Sequence, residues 1–267
     1  MSFQEDRILE KIFGEKPGQL AEKNYLGSIN EATYNEIIKE KLYTEFLKKE
    51  NLRIFNYFVK ETKNNGYKSN TSSIVLNKIK IEVPEIYKDC QKTIEKIENR
   101  ITNLIKNKNI FIKEISINNQ LEIVKNSQPN KKIAGDPITE FTKDLKENIV
   151  NNLDIDPLDL KYYTAVGSHL DYSSGIDAFF SLEYKDEQGR GRNILIFIDI
   201  TMDNIINKNE KIADKERNGG KYLADVIMFA EEVDYKRERD IFKLSLYTQK
   251  IIQQIKEKKE KDKSSLN

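Results

Sequence analysis

Residues 175–201, GIDAFFSLEYKDEQGRGRNILIFIDIT, contain two apolar runs separated by a polar, glycine-containing turn. Both runs are rich in the aromatic and β-branched residues that favour strands. Because the turn at 186–191 is short, the two strands are expected to pair antiparallel as a β-hairpin. A hairpin alone is only marginally stable, so other elements of the chain must extend the sheet and cover it.

Two aspartates occur where apolar side chains would be expected in these strands. Asp199 ends a run of alternating isoleucines, and Asp177 directly precedes Ala-Phe-Phe. Since successive side chains point to opposite faces of a strand, the two aspartates fall near facing positions of the hairpin. Burying a carboxylate costs several kcal/mol unless it is paired or binds a cation. Two interpretations follow: a site for one or two divalent cations, or strand-ending aspartates that pair with a nearby Lys or Arg.

On both sides of the hairpin, the apolar periodicity predicts further elements. Apolar residues from Ile138 to Leu153 mark a predicted helix, with Asp136 as its N-cap and Pro137 at its first position. The remaining elements are a strand at 162–168 before the hairpin, then a helix at 203–217, a strand at 223–230 and a helix from 236 to about 261. His169 and Asp171, just before the hairpin, are expected in a loop that could border the two aspartates, with a locally hydrogen-bonded loop His as the alternative. The order αβββαβα predicts an α/β (α+β) fold in this part of the chain.

The first half of the chain is predicted to be helical. From residue 1 to about 125, apolar residues recur at spacings of three and four, and strand-like alternation is scarce. The segment NSQPNKKIAGDP at 126–137 has the composition of a linker. We therefore expect an α-helical domain at 1–130 and a sheet-containing domain at 131–267. The helical domain is a candidate for binding a substrate, a protein partner or a second copy of the chain in a homodimer.

The composition excludes several kinds of catalytic site. The chain has one His, His169, and one Cys, Cys90, so it cannot build a Cys/His zinc site or a disulfide framework. Cys90 lies on an apolar helical stripe and is expected to be an ordinary buried residue. Any chemistry must therefore rely on carboxylates, lysines, hydroxyls or a metal ion bound through oxygen.

No targeting or membrane-spanning segment is predicted. No apolar run approaches the roughly 20 residues that span a bilayer. The first residues, MSFQEDRILEKIF, are charged and amphipathic, without the apolar core of a secretory signal. A cytoplasmic location is therefore expected.

The charge total is nearly neutral, with 45 Lys and Arg against 44 Asp and Glu. That balance is less basic than is typical of a dedicated duplex-binding domain. Along the chain, however, the predicted strand region is acidic and the final helix is basic. An acidic centre suits a metal ion, and a basic helix beside it could hold phosphates. A solvated Lys/Glu-rich helix explains the same run without any ligand.

The string GSHLDYSSGIDAFFSLEY at 167–184, followed by NILIFIDIT at 193–201, resembles the PD-(D/E)XK, or restriction-endonuclease-like, nuclease superfamily. In that family a glycine, an apolar residue and Asp precede a hairpin whose second strand ends in an acid, any residue and Lys. Gly175-Ile176-Asp177 matches the first half, and Asp199-Ile200-Thr201 matches the second except at its last position. The resemblance covers about 138–230 and implies a restriction-endonuclease-like core with a mixed central sheet.

The resemblance also implies a function, namely Mg²⁺- or Mn²⁺-dependent hydrolysis of phosphodiester bonds, in DNA rather than RNA. Asp177 and Asp199 would ligate the metal ion, together with the backbone carbonyl of Ile200. Many members add a Glu from the first core helix. The candidates here are Glu140, Asp144 and Glu147. Glu140 is preferred because it lies in the first helical turn, although there it could equally compensate the helix dipole.

Thr201 stands where the family has a Lys. That Lys orients the attacking water and stabilises charge in the transition state, which a hydroxyl does only in part. Either another Lys supplies the charge, or the domain has lost catalysis. The next predicted helix carries Lys208, Lys211 and Lys215, and a helical wheel puts Lys208 and Lys215 on the flank of its apolar side. Lys208 is nearer in sequence to Asp199 and is the candidate, with a solvated Lys as the alternative.

Three functions are compatible with these patterns. The first is a metal-dependent nuclease. The second is a catalytically inactive nucleic-acid-binding or assembly protein that keeps the nuclease-like fold. The third is a mainly structural helical protein with an ordinary α/β domain. The nuclease requires Glu140 or a neighbour, Asp177 and Asp199 to converge with a Lys amine within reach, whereas the second function needs only a basic groove.

Overall fold

The structure, a computed structural model, divides the described part of the chain into two compact units. One unit is formed by residues 29–127, and the other contains residues 128–267 and also the amino-terminal segment up to Ser28. The described residues are 17–50, 52–65, 71–108, 112–129, 135–201, 205–217, 222–229 and 238–264.

Within these ranges the chain forms ten helices and four strands. In chain order they are α1 (Pro17–Leu26), α2 (Glu31–Lys49), α3 (Phe55–Asn65), α4 (Thr71–Glu82), α5 (Pro84–Lys106), α6 (Ile117–Asn126), α7 (Glu140–Leu153), β1 (Leu160–Thr164), α8 (His169–Ser174), β2 (Ala178–Lys185), β3 (Gly191–Thr201), α9 (Ile205–Arg217), β4 (Val226–Phe229) and α10 (Glu238–Ser264). The predicted mixture of a helical amino-terminal region and a later sheet is confirmed. None of the described helices is long and apolar enough to cross a membrane.

Helices α2 to α6 form the unit of residues 29–127. Asn30 caps α2, because its side-chain oxygen accepts a hydrogen bond of 3.1 Å from the Thr33 N–H. The buried residues of α2 follow the predicted three-and-four spacing, and they include Tyr34, Ile37, Ile38, Leu42 and Phe46. Cys90 is buried on α5 among apolar residues of the same stripe.

The four strands form one mixed sheet in the order β1-β2-β3-β4. β1 pairs antiparallel with β2, and β2 with β3, so the predicted hairpin is confirmed. β3 and β4 are parallel and are joined by a crossover that includes α9, as parallel neighbours require. The carboxyl end of β3 therefore lies in the interior of the sheet, between β2 and β4.

One face of the sheet is covered by α7 and α10. The alternating isoleucines of β3 point to this face, and all four are buried. They pack in one cluster with apolar residues of both helices, among them Phe141, Leu145 and Ile149 of α7 and Ile251 and Ile255 of α10. Each fully buried side chain of this size contributes roughly 1.5–3 kcal/mol. The opposite face carries Phe179 and Phe197, whose rings contact edge to face, and at its end the two aspartates.

Helix α1 belongs to the sheet-containing unit, so the predicted division at about residue 130 does not hold for it. The Tyr162 hydroxyl donates a hydrogen bond of 2.8 Å to the Leu26 carbonyl, and the Thr164 hydroxyl donates one of 3.0 Å to the Gly27 carbonyl. Both bonds join β1 to the end of α1. The helical periodicity of α1 shows its local conformation but not which unit buries it. Residues 130–134, within the predicted linker, lie outside the described residues.

Two local predictions around the sheet are wrong in detail. Helix α7 begins at Glu140 and not at Pro137, because Thr139 is its N-cap and exchanges hydrogen bonds with Thr142 in a capping box. The segment HLDYSS at 169–174, expected to be a loop, forms the short helix α8. Ser168 caps its start, and Gly175 ends it with a left-handed backbone at φ +65°.

Candidate metal centre

Asp177 and Asp199 lie close together at the end of the β2–β3 hairpin. The last pair of the ladder is Ala178 with Ile198, and Asp177, which directly precedes β2, donates its backbone N–H to the Ile198 carbonyl over 2.8 Å. Both are buried, with 2% and 4% of their surface exposed. The Ile200 N–H donates a hydrogen bond of 2.7 Å to Asp177 Oδ2, which brings all three predicted metal-binding residues to one place.

A group of three carboxylates, which we call the acidic group, surrounds Asp177. Its members are Glu22, Asp171 and Asp177, and each offers an oxygen within 4.8 Å of the others. Glu22 comes from α1, and Asp171 comes from α8. Asp171 is held in place because its Oδ2 accepts a hydrogen bond of 2.8 Å from the Gly167 N–H. The group therefore combines residues from three separate segments of one compact unit.

Lys208 reaches the same end of the sheet from α9. Its Nζ lies 2.5 Å from Asp199 Oδ2, and the side chains of the pair are only 14% and 6% exposed. The Tyr222 hydroxyl donates a hydrogen bond of 2.9 Å to the same oxygen, and the Lys208 Nζ lies 5.7 Å from the centre of the Tyr222 ring. Lys211 is exposed, and the side chain of Lys215 lies outside the described residues.

The structure does not bring Glu140 to the acidic group. Glu140 is exposed in the first turn of α7, directly before Phe141, which begins the buried stripe of that helix. Its side chain therefore points away from the face that packs against the sheet. Glu22 lies beside Asp177 instead. The sequence has many glutamates at helical spacing, and nothing local distinguishes Glu22 from them, since only the docking of α1 brings it to the site.

His169 and the basic helix also differ from expectation. His169 is fully buried in α8, so it does not border an open site. The basic end of α10 lies at the far end of the hairpin, where Lys263 forms an ion pair of 2.7 Å with Glu187. From Ala178 to Lys185 a strand extends roughly 20–25 Å. The Lys-rich end of α10 is therefore not beside the two aspartates.

Crowding of carboxylates and burial raise the pKa values of the acidic group. Burial, followed by the charges of Asp171 and Asp199, raises the pKa of Glu22 to about 8. Burial and the neighbouring carboxylates raise the pKa of Asp177 well above its usual range, although the Ile200 N–H opposes the shift. Burial and the charge of Asp199 raise the pKa of Tyr222, so its hydroxyl remains a hydrogen-bond donor.

The donors gathered here suit a hard divalent cation. The acidic group offers carboxylate oxygens from three residues, and Asp199, which lies outside that group, offers another carboxylate at the same end of β3. Mg²⁺ and Mn²⁺ prefer such oxygen ligands, and in the described part of the site no sulfur or imidazole donor competes. A cation would also offset the cost of holding several buried carboxylates together. The residues present therefore fit the metal ion that the sequence motif implies.

Glu22→Gln is expected to flatten the pH dependence of stability in the metal-free protein. The unfolded chain loses the Glu22 proton near pH 4.5, whereas the folded chain keeps it up to about pH 8. The stabilisation by Glu22 is therefore complete below pH 4.5 and is lost as the pH rises to 8. Urea unfolding in EDTA should show stability falling by a few kcal/mol over this window.

The control for this experiment is Glu140→Gln, which changes an exposed glutamate of the same unit. We expect its stability profile to run parallel to the wild type, whereas the Glu22→Gln profile should be flatter and higher at pH 8. Identical slopes for wild type and Glu22→Gln would contradict the placement of Glu22 in the acidic group.

Gly175→Ala is expected to lower stability more than Gly189→Ala. Both glycines have left-handed backbones, at φ +65° and φ +74°, so alanine costs about 1 kcal/mol at either position. At Gly175 the added Cβ would also lie 2.5 Å from a ring carbon of Tyr222, whereas at Gly189 it would meet nothing within 4 Å. The difference between the variants in urea unfolding isolates this contact, and we expect about 1–3 kcal/mol. Equal losses would show that Tyr222 moves aside freely.

The chain matches no protein-family model, no curated protein and no solved structure. The geometry of Asp177, Asp199, Lys208 and the acidic group is therefore the basis for assigning a function.

Proposed function

We propose that this chain is a metal-dependent nuclease that hydrolyses phosphodiester bonds in DNA rather than RNA, using a core of the PD-(D/E)XK type. One observation carries the proposal: Asp177 accepts a hydrogen bond from the Ile200 N–H, next to Asp199, and the Lys208 ammonium lies 2.5 Å from the Asp199 carboxylate. A Lys amine beside the motif aspartates is the feature that the nuclease interpretation requires. Glu22 supplies the third carboxylate expected from a helix.

The arrangement of the sheet supports the proposed core. The elements α7, β1, β2, β3, α9, β4 and α10 follow the predicted order, with α8 added between β1 and β2. Two antiparallel pairings followed by one parallel pairing produce the mixed central sheet that the resemblance implies. The two motif aspartates lie at the strand ends where that core holds its site.

In this proposal Asp177, Asp199, the Ile200 carbonyl and Glu22 hold Mg²⁺ or Mn²⁺, with Asp171 beside them. The bound metal ion would lower the pKa of a water molecule and neutralise charge on a phosphoryl oxygen. Lys208 supplies the positive charge that the motif Lys provides in the family and that Thr201 lacks. Its ammonium is held next to Asp199.

The second candidate is a nuclease-fold protein that binds nucleic acid without cleaving it. Thr201 in the Lys position favours this alternative. In that case the contact of Lys208 with Asp199 would be a buried ion pair that only satisfies the carboxylate. The two candidates differ in one measurable property, the cleavage of a phosphodiester.

The test is incubation of the purified chain with supercoiled plasmid, linear duplex, single-stranded DNA and RNA, each with Mg²⁺, Mn²⁺ or EDTA. We expect cleavage of DNA with either metal ion and none in EDTA. Binding of DNA in a gel shift without cleavage under any condition would favour the second candidate. Cleavage of RNA alone would correct the substrate class.

A further inference from the structure

Tyr222 lies on a segment that is tied to the strands of the metal centre. Residues 222–225 directly precede β4. The Leu223 N–H donates a hydrogen bond of 3.1 Å to the Ser174 carbonyl, and the Asp225 N–H donates one of 2.8 Å to the Phe197 carbonyl. These two bonds hold the segment against α8 and against β3. The position of Tyr222 is therefore set by the same elements that carry Asp171 and Asp199.

Three side-chain contacts place Tyr222 between the two halves of the sequence motif. Its hydroxyl donates a hydrogen bond of 2.9 Å to Asp199 Oδ2. Its ring lies 5.7 Å from the Lys208 Nζ. Its ring also occupies the space next to Gly175, where a Cβ would come within 2.5 Å of a ring carbon. The motif glycine therefore has a second purpose besides its left-handed backbone, since it leaves room for Tyr222.

The two oxygens of the Asp199 carboxylate differ in their contacts. Among the described residues, the hydrogen bond from Tyr222 and the ion pair from Lys208 both go to Oδ2. A carboxylate held at one oxygen by two donors cannot rotate freely, and no described residue contacts its other oxygen, Oδ1, which can therefore face a ligand. Hydrogen bonds of this kind orient metal-binding carboxylates in many proteins.

We propose that Tyr222 is a positioning residue that orients the Asp199 carboxylate and keeps Lys208 beside it, so that Asp199 presents one oxygen to a divalent cation. The inference rests on the proposed function, because it takes Asp199 as a metal ligand. It goes further by assigning a role to a residue outside the sequence motif. A tyrosine that only filled space next to Gly175 would need its ring but not its hydroxyl.

The test compares Tyr222→Phe with Tyr184→Phe. Tyr222→Phe removes the hydroxyl and keeps the ring against Gly175, so the fold should be retained. Tyr184→Phe is the matched control, since the Tyr184 hydroxyl also donates a hydrogen bond of 2.9 Å to an aspartate, Asp262, away from the site. Mn²⁺ affinity of the metal-free proteins is measured by calorimetry with the metal alone, and kcat and KM are measured with plasmid.

For Tyr222→Phe we expect the Kd for Mn²⁺ to rise about tenfold or more and kcat to fall by a similar factor. The KM for DNA should change less than about twofold, because Tyr222 orients a metal ligand and does not bind DNA. Tyr184→Phe should match the wild type in all three quantities. Unchanged Mn²⁺ affinity and kcat in Tyr222→Phe, or equal losses in both variants, would overturn the inference and leave the proposed function standing. A wild-type chain that neither binds Mn²⁺ nor cleaves DNA would overturn both.

Discussion

Asp177→Asn is expected to reduce metal-dependent cleavage severely and, at the same time, to stabilise the metal-free protein. The Asp177 carboxylate is 2% exposed, and burial together with neighbouring carboxylates raises its pKa well above the usual range. An asparagine keeps an oxygen that accepts the hydrogen bond from the Ile200 N–H but carries no charge. Its amide can donate to the carboxylates of Glu22 or Asp171. The variant therefore removes a buried charge without leaving its partners unsatisfied.

The expected loss of cleavage is on the order of 10³-fold, at the upper end for removal of one preorganised electrostatic group. The expected gain in stability is ~1–2 kcal/mol at pH 8, because a poorly solvated carboxylate disappears. Plasmid cleavage in Mg²⁺ and urea unfolding in EDTA measure the two effects. A substitution that lowers activity but raises the free energy of unfolding is typical of a residue that serves function and not folding. Asp199→Asn should lose cleavage to a similar extent.

The control is Asp186→Asn, the same change at an aspartate that is surrounded by arginines instead of carboxylates. Asp186 accepts hydrogen bonds from the Nε atoms of Arg190 and Arg192, at 2.9 and 3.1 Å. Removing its charge leaves two guanidinium groups without their partner, so we expect lower stability and unchanged cleavage. Full activity of Asp177→Asn would contradict the assignment of Asp177 to the metal centre. A loss of stability in that variant would show that neighbouring groups stabilise the Asp177 charge in the folded protein.

Lys208→Met is expected to reduce kcat by about 10²–10³-fold, the usual effect of removing one group that stabilises transition-state charge. Methionine keeps the apolar stem of the side chain and removes the ammonium that lies 2.5 Å from Asp199 Oδ2. The KM for DNA should change little if Lys208 acts on the transition state. Single-turnover cleavage of a labelled duplex measures the chemical step directly.

Two further variants separate a catalytic amine from a structural ion pair. Lys211→Met makes the same change three residues further along α9 at an exposed position, and it should retain wild-type cleavage. Thr201→Lys in the Lys208→Met background returns an amine to the position of the family motif, on the same strand face as Asp199. We expect it to restore part of the lost activity. Wild-type kcat in Lys208→Met would show that this Lys only pairs with a buried carboxylate.

The strands and the closeness of the two aspartates could be predicted because they depend on local patterns. Alternating apolar side chains define a strand and its buried face, and a short polar turn forces two such strands into a hairpin. Once the hairpin is known, Asp177 and Asp199 must share a face near its end. Lys208 could also be predicted, because it is the Lys of α9 nearest in sequence to Asp199, although the predicted apolar side of that helix is not buried, with Ile206 66% exposed. Each inference uses residues within one element or two adjoining ones.

Glu22 and Tyr222 could not be predicted in this way. Glu22 lies on a helix whose periodicity is like that of the helical unit, and only the hydrogen bonds of Tyr162 and Thr164 to the end of α1 show where the helix docks. Tyr222 follows α9 in a segment without any periodic pattern. The first turn of a core helix favours Glu140 as the third carboxylate, but next to Phe141 its side chain is exposed to solvent.

By itself, the amino-acid sequence determined the elements, the hairpin and the pair of aspartates, since side-chain periodicity and turn residues act over a few neighbouring positions. The tertiary structure alone decided which Glu joins Asp177 and which hydroxyl holds Asp199. It also decided that the basic end of α10 lies away from both aspartates. These choices depend on which apolar faces pack together, and burial of an apolar face is a property of the whole unit that no single segment specifies.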